Sequence, residues 1–108
     1  MEEAQKYVFV VPEYNGSFPG VLKAFIDGLD FPTTFAGKKC ALIGVSQGWR
    51  GGSTGLSHLT DIFHYLKMDV CPFKVYLPNI IDSRIETVLA SNTYKRLLEE
   101  QAEAIIHY

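Results

Sequence analysis

No apolar run in this sequence approaches the ~20 residues that a membrane-spanning helix needs, and its first residues carry no signal-peptide pattern. An excess of one charge is missing too: ten basic residues stand against twelve acidic ones, for a net charge of −2, with no basic cluster. Nucleic-acid recognition relies on a positive patch, so neither a nucleic acid nor a membrane is expected as a partner. Cysteine occurs twice, as Cys40 and Cys71, each opening an apolar run. The pair reads as reduced, buried core residues of a cytoplasmic protein, and more weakly as a disulfide. His58 and His64 are six residues apart, on different sides of a helix, which is poor geometry for a metal, and His107 is near the end of the chain. His64 with Asp61 reads as a surface pair, and no metal is expected. Several signatures are absent as well. No Gly-x-Gly-x-x-Gly opens a helix with an acidic residue ~20 positions on, and no Gly-Lys-Ser/Thr completes a Walker loop. Ser46 lacks the Gly-x-Ser-x-Gly elbow of a hydrolase. No side chain qualifies as catalytic.

The 108 residues suffice for one domain with a modest core, though they are few for a doubly wound fold. Hydrophobic residues make up 47% and charged ones 20%, a globular balance without repeats or low-complexity linkers. After a polar lead from Met1 to Lys6, uninterrupted apolar runs predict strands over 7–11, 40–45 and 70–77. Such runs suit strands covered on both faces, as in parallel sheets. Apolar stripes predict helices over 20–29, 54–67 and 92–106. The first stripe is Val21, Leu22, Phe25, Ile26 and Leu29, closed by Gly28, Asp30 and Pro32. The second is Leu56, Leu59, Ile62, Phe63 and Leu66. The last is Tyr94, Leu97, Leu98, Ala102, Ile105 and Ile106, with Ser91 as N-cap. Residues 80–90 read as irregular or weakly extended. Strand and helix alternating three times predicts a three-layer α/β fold with a parallel sheet and right-handed crossovers.

The most informative stretch lies between the first strand and the first helix. Pro12 fixes the strand's exit and cannot donate to a ladder. Asn15 and Gly16 tolerate the left-handed backbone of a tight turn, which lets peptide N–H groups face a flat ligand. Pro19 suits the first turn of the helix. Such loops, at the carboxyl ends of strands, are where α/β sheets bind ligands. The second strand also ends in a loop, Ser46-Gln47-Gly48-Trp49-Arg50-Gly51-Gly52-Ser53, whose glycines permit close approach to a planar ring.

Pro12-Glu13-Tyr14-Asn15-Gly16-Ser17, continued by Pro19-Gly20-Val21-Leu22-Lys23, closely resembles the flavin-contacting loop of the NADPH-dependent FMN reductase family, whose members are flavodoxin-like. Ser46-x-Gly48-x-x-Gly51-Gly52 is similar to the family's second flavin-bordering turn. The resemblance implies FMN and NAD(P)H as cofactors, with FMN held by Pro12, Glu13, Tyr14, Asn15, Gly16, Ser46, Gly48, Gly51 and Gly52. Glu13 would act through its backbone. Trp49 and Arg50 either cover the ring or meet a nicotinamide-nucleotide phosphate, or Trp49 sits at a subunit contact. The implied reaction passes a hydride from nicotinamide to FMN and on to an acceptor such as a quinone, azo compound, metal oxyanion or free flavin.

The chain looks like the last three strands of such a domain. The N-terminal βα units, roughly 60 residues at ~30 each, would lie outside it, and with them the loop that grips the FMN phosphate. A homo-oligomer, or pairing with an N-terminal partner along the strand 7–11, is therefore expected. The alternative reading is a non-enzymatic interaction module, or an inactive fragment that lost FMN binding with its phosphate loop.

Overall fold

The computed structural model describes residues 4–30, 33–80 and 85–108. Expectations placed on residues 1–3, on Pro32 and on 81–84 lie outside the described residues. Strand β1 (Lys6–Pro12) runs parallel to β2 (Lys39–Val45), in register from Lys6 opposite Lys39 to Pro12 opposite Val45. On the far side of β2 lie two short parallel strands, β3 (Asp69–Val70) and β4 (Val75–Leu77).

The continuous strand expected over 70–77 is thus two pieces along one edge of β2. Residues 71–74 leave the strand around Pro72, whose ring fixes φ away from the values of a parallel strand. Helix α4 repairs the gap with a side chain. Gln101, only 2% exposed, donates its amide to the carbonyls of Leu42 at 2.8 Å and Phe73 at 3.1 Å.

The helices are α1 (Gly20–Asp27), α2 (Ser53–Tyr65), α3 (Ile85–Ala90) and α4 (Asn92–Ile106). Residues 85–90, expected to be irregular, instead form α3, which packs on α4 and carries Glu86 in its first turn, where a carboxylate complements the helix dipole. Helices α1 and α2 cover one face of the sheet. There Ile26, Leu56, Leu59 and Phe63 pack on Val11 and Leu42, and the rings of Phe9 and Phe63 are 5.0 Å apart. Helix α4 covers the other face with Ile105 against Ala41 and Cys71. The parallel three-layer arrangement expected from the sequence is therefore present.

Other expectations need correction as well. The cysteines are free and buried, and they belong to the core clusters on opposite sides of the sheet, so the disulfide alternative falls. Strand β1 is covered on one face only. Tyr7, Phe9 and Val11 point into the first core, but Val8 and Val10 are 54% and 63% exposed because α4 packs on β2 and β4. In α4, Ala102 and Ile106 are exposed, and the polar Gln101 takes the buried position. Among the described residues β1 pairs with β2 alone.

Candidate functional site

Since β1, β2 and β4 are parallel, their carboxyl ends share one edge of the sheet. Three loops meet there. The first starts at Pro12, and the Glu13 N–H donates to the Val45 carbonyl at 2.8 Å, which fastens its root to the end of β2. Tyr14 and Ser17 then exchange both backbone hydrogen bonds, at 2.8 and 3.1 Å. Between them Asn15 has φ 52° and Gly16 φ 83°. Two successive positive φ values define a type I′ turn, for which Asn-Gly is the favoured pair. Tyr14 and Ser17 spend their amides on each other and Glu13 spends its own on Val45. Among the described residues the N–H groups of Asn15 and Gly16 have no protein acceptor.

The second loop is more tightly built. Ser46 is 4% exposed; its N–H donates to the Leu77 carbonyl at 3.1 Å and its hydroxyl to the Gly48 carbonyl at 2.9 Å. The third loop returns the contact, with Ile80 N–H on the Ser46 carbonyl at 2.8 Å and Asn79 N–H on the Gly48 carbonyl at 2.9 Å. Gly51 and Gly52 are buried with φ 61° and 77°. A Cβ on Gly51 would lie 2.6 Å from Tyr76 Cβ, and one on Gly52 would lie 3.3 Å from Gly44 Cα. These two glycines allow the loop backbone to rest on β2 and β4. Gly48, by contrast, is exposed and has open space where a side chain would go. Trp49 is 76% exposed, with the Arg50 guanidinium stacked 5.0 Å from its ring centre.

The residues singled out in the sequence thus fall into two groups. Pro12, Glu13, Tyr14, Asn15, Gly16 and Gly48 are exposed at the carboxyl edge. Ser46, Gly51 and Gly52 are buried and build the platform beneath it. Sequence reading missed Asn79 and Ile80, which tie the third loop in, and the contact of α2 with the first loop. On α2, a Cβ at Gly55 would meet Phe18 N and Ser17 C at 2.9 Å, and His58 Nδ1 lies 2.7 Å from Ser17 Oγ. The spacing Gly55-x-x-His58, which puts both residues on one helical face, was the available signal.

The edge offers paired free amides on a rigid turn, an exposed tyrosine and an open glycine. Those features suit a flat ring rich in hydrogen-bond acceptors. A cleft of about 310 Å³ also opens elsewhere, between α1 and α2, lined by Lys23, Ile26, Asp27, Tyr65 and Leu66 among others. It contains none of the loop residues and lies toward the C-terminal ends of those helices.

The family model described as NADPH-dependent FMN reductase matches residues 1–82. An NAD(P)H-dependent FMN reductase of Pseudomonas aeruginosa is 34% identical over 105 residues, covering 95% of this chain and 54% of the relative. A 2-hydroxy-1,4-benzoquinone reductase of Burkholderia sp is 40% identical over 67 residues, covering 59% of this chain and 37% of the relative. Among solved structures, the flavoenzyme FerB of Paracoccus denitrificans, an NAD(P)H:(acceptor) oxidoreductase, superposes with a TM-score of 0.74 at 23% identity. That match covers 96% of this chain and 60% of FerB, and it establishes the flavodoxin-like fold. The chain spans between 31% and 54% of the length of the curated relatives it matches.

Proposed function

The chain belongs to the NADPH-dependent FMN reductase family, and from that premise we propose that it forms the ring-binding part of an NAD(P)H-dependent flavin oxidoreductase. The observation that carries this reading is the Asn15-Gly16 turn, with two unspent amides at the carboxyl edge of the sheet. When bound, FMN supplies the redox chemistry, accepting a hydride from nicotinamide and passing electrons to an acceptor. The chain's own part is to bind and orient. Asn15 and Gly16 would donate to the acceptor atoms of the ring, Tyr14 and Gly48 would border it, and Ser46, Gly51 and Gly52 would hold the loops at their spacing. Pro12 and Glu13 set the turn's distance from the sheet through the bond to Val45. A quinone is the acceptor favoured here, because one relative is a 2-hydroxy-1,4-benzoquinone reductase. Two free buried thiols support a cytoplasmic setting.

We include in the proposal a pairing partner at the open edge of β1, either a second copy or an N-terminal partner. The open edge of β1 and the exposure of Val8 and Val10 support this. They equally support the second reading, an interaction module without flavin.

Titration of the purified chain with FMN, followed by flavin fluorescence, separates the two. Quenching that is lost in Asn15→Val, with an unchanged far-UV spectrum, is the expected result. The valine opposes the left-handed backbone at φ 52°, which costs a non-glycine residue roughly 1–2 kcal/mol. A second assay follows NADPH oxidation with 1,4-benzoquinone as acceptor. A chain that neither quenches nor oxidises favours the interaction module.

A further inference from the structure

We infer that His58 is a positioning residue for the flavin turn, acting through Ser17; this rests on the reading that FMN meets the Asn15-Gly16 amides. The two residues are 41 positions apart in sequence, and their side chains meet at 2.7 Å between Ser17 Oγ and His58 Nδ1. Ser17 is the closing residue of the turn, since both its N–H and its carbonyl bond Tyr14. Anything that holds Ser17 therefore holds the geometry of the two amides before it.

Helix α2 touches this point twice. At Gly55 there is no room for a Cβ, which would stand 2.9 Å from Phe18 N and Ser17 C, so the helix lies flush on the loop backbone. One turn on, at i+3, His58 reaches the same residue from the same helical face. The adjacent face of α2, with Leu56, Leu59 and Phe63, is locked in the core. The turn is thus referenced to a rigid element, a device that limits the ordering cost of binding. Ser17 and His58 touch the turn and each other, and the chemistry of the ring makes no demand on either. That separates positioning from catalysis.

The test uses the full chain with FMN as probe. His58→Ala, Ser17→Ala and the double variant are titrated with FMN, and the backbone amide signals of Asn15 and Gly16 are followed by NMR without flavin. Each single variant is expected to weaken FMN binding roughly fivefold, the effect of one solvent-accessible hydrogen bond. The double variant should be no weaker than either single one, since both remove the same bond. His58→Asn, whose amide can stand near the place of Nδ1, should recover most of the affinity. Multiplying effects in the double variant, or no recovery with asparagine, would overturn the assignment. A wild-type chain that binds no FMN would defeat the flavin reading instead. In that event the amide signals decide: unmoved Asn15 and Gly16 resonances in His58→Ala would overturn the positioning role by themselves.

Discussion

At Gly51 an added methyl group would stand 2.6 Å from Tyr76 Cβ and 2.9 Å from the Tyr76 carbonyl carbon, on a backbone with φ 61°. Strain of that kind costs ~1–3 kcal/mol for the backbone, with overpacking adding to it. Gly51→Ala is therefore expected to lower stability by about 2–4 kcal/mol in urea denaturation. Gly48→Ala, with open space around it, should stay within about 0.5 kcal/mol of wild type. In the sequence the two glycines look alike, because residue type does not reveal which backbone lies opposite. Asn15-Gly16 was legible for the opposite reason: its conformation is fixed locally by the turn. Cys40 yields a pH prediction. Burial first, and the neighbouring Cys71 second, push its thiol from 9.0 up to about 12. The folded form keeps a proton that the unfolded form has released between those values, so the associated stability is intact below pH 9 and is lost as pH rises toward 12. The urea midpoint should fall across that window, and Cys40→Ala should flatten the fall. A native chain at pH 8 should resist alkylation at Cys40.

Elements were read well where one face is locally patterned and poorly where a distant side chain decides. Helix α2 keeps Leu56, Leu59 and Phe63 inward at helical spacing, as the sequence required. The third strand could not be read this way. Its apolar residues are interrupted by Lys74 alone, and around the break Gln101, 28 positions beyond Phe73, donates to the Leu42 and Phe73 carbonyls. A buried glutamine in an otherwise apolar stripe was the one available hint. Gln101→Leu keeps the volume and removes both hydrogen bonds, leaving the Leu42 and Phe73 carbonyls without that donor. An unsatisfied buried group costs ~1–3 kcal/mol, so a loss of about 2 kcal/mol is expected. Hydrogen exchange should show it as faster opening of 71–77. A variant as stable as wild type would mean that the strand break needs no repair.

For the whole molecule the decisive surface is β1. Its inner face is closed by an aromatic cluster of Tyr7, Phe9, Phe35 and Phe63, while its outer face presents Val8 and Val10 to solvent and its free edge pairs with nothing among the described residues. An apolar strand with unpaired N–H and C=O groups is a template for association. A second apolar surface lies on α1, where Val21 is 77% and Phe25 49% exposed at i and i+4. The sequence predicted a buried stripe there, but Val21 and Phe25 are open to solvent among the described residues. The chain is therefore expected to sediment above its 12.1 kDa monomer mass at micromolar concentration. The two surfaces can be separated by charge. Val10→Lys should leave the fold intact, since the position is solvent-exposed, and should block pairing at the edge, where lysine is a natural deterrent. Val21→Lys should act only on association through the helices. If Val10→Lys alone yields the monomer, β1 is the interface, and the partner that completes the sheet binds there. If only Val21→Lys does, the helices carry the contact and β1 stays open in the isolated chain. A wild-type chain that sediments as a clean monomer, with β1 amides exchanging freely on the side away from β2, would sink the association proposal altogether.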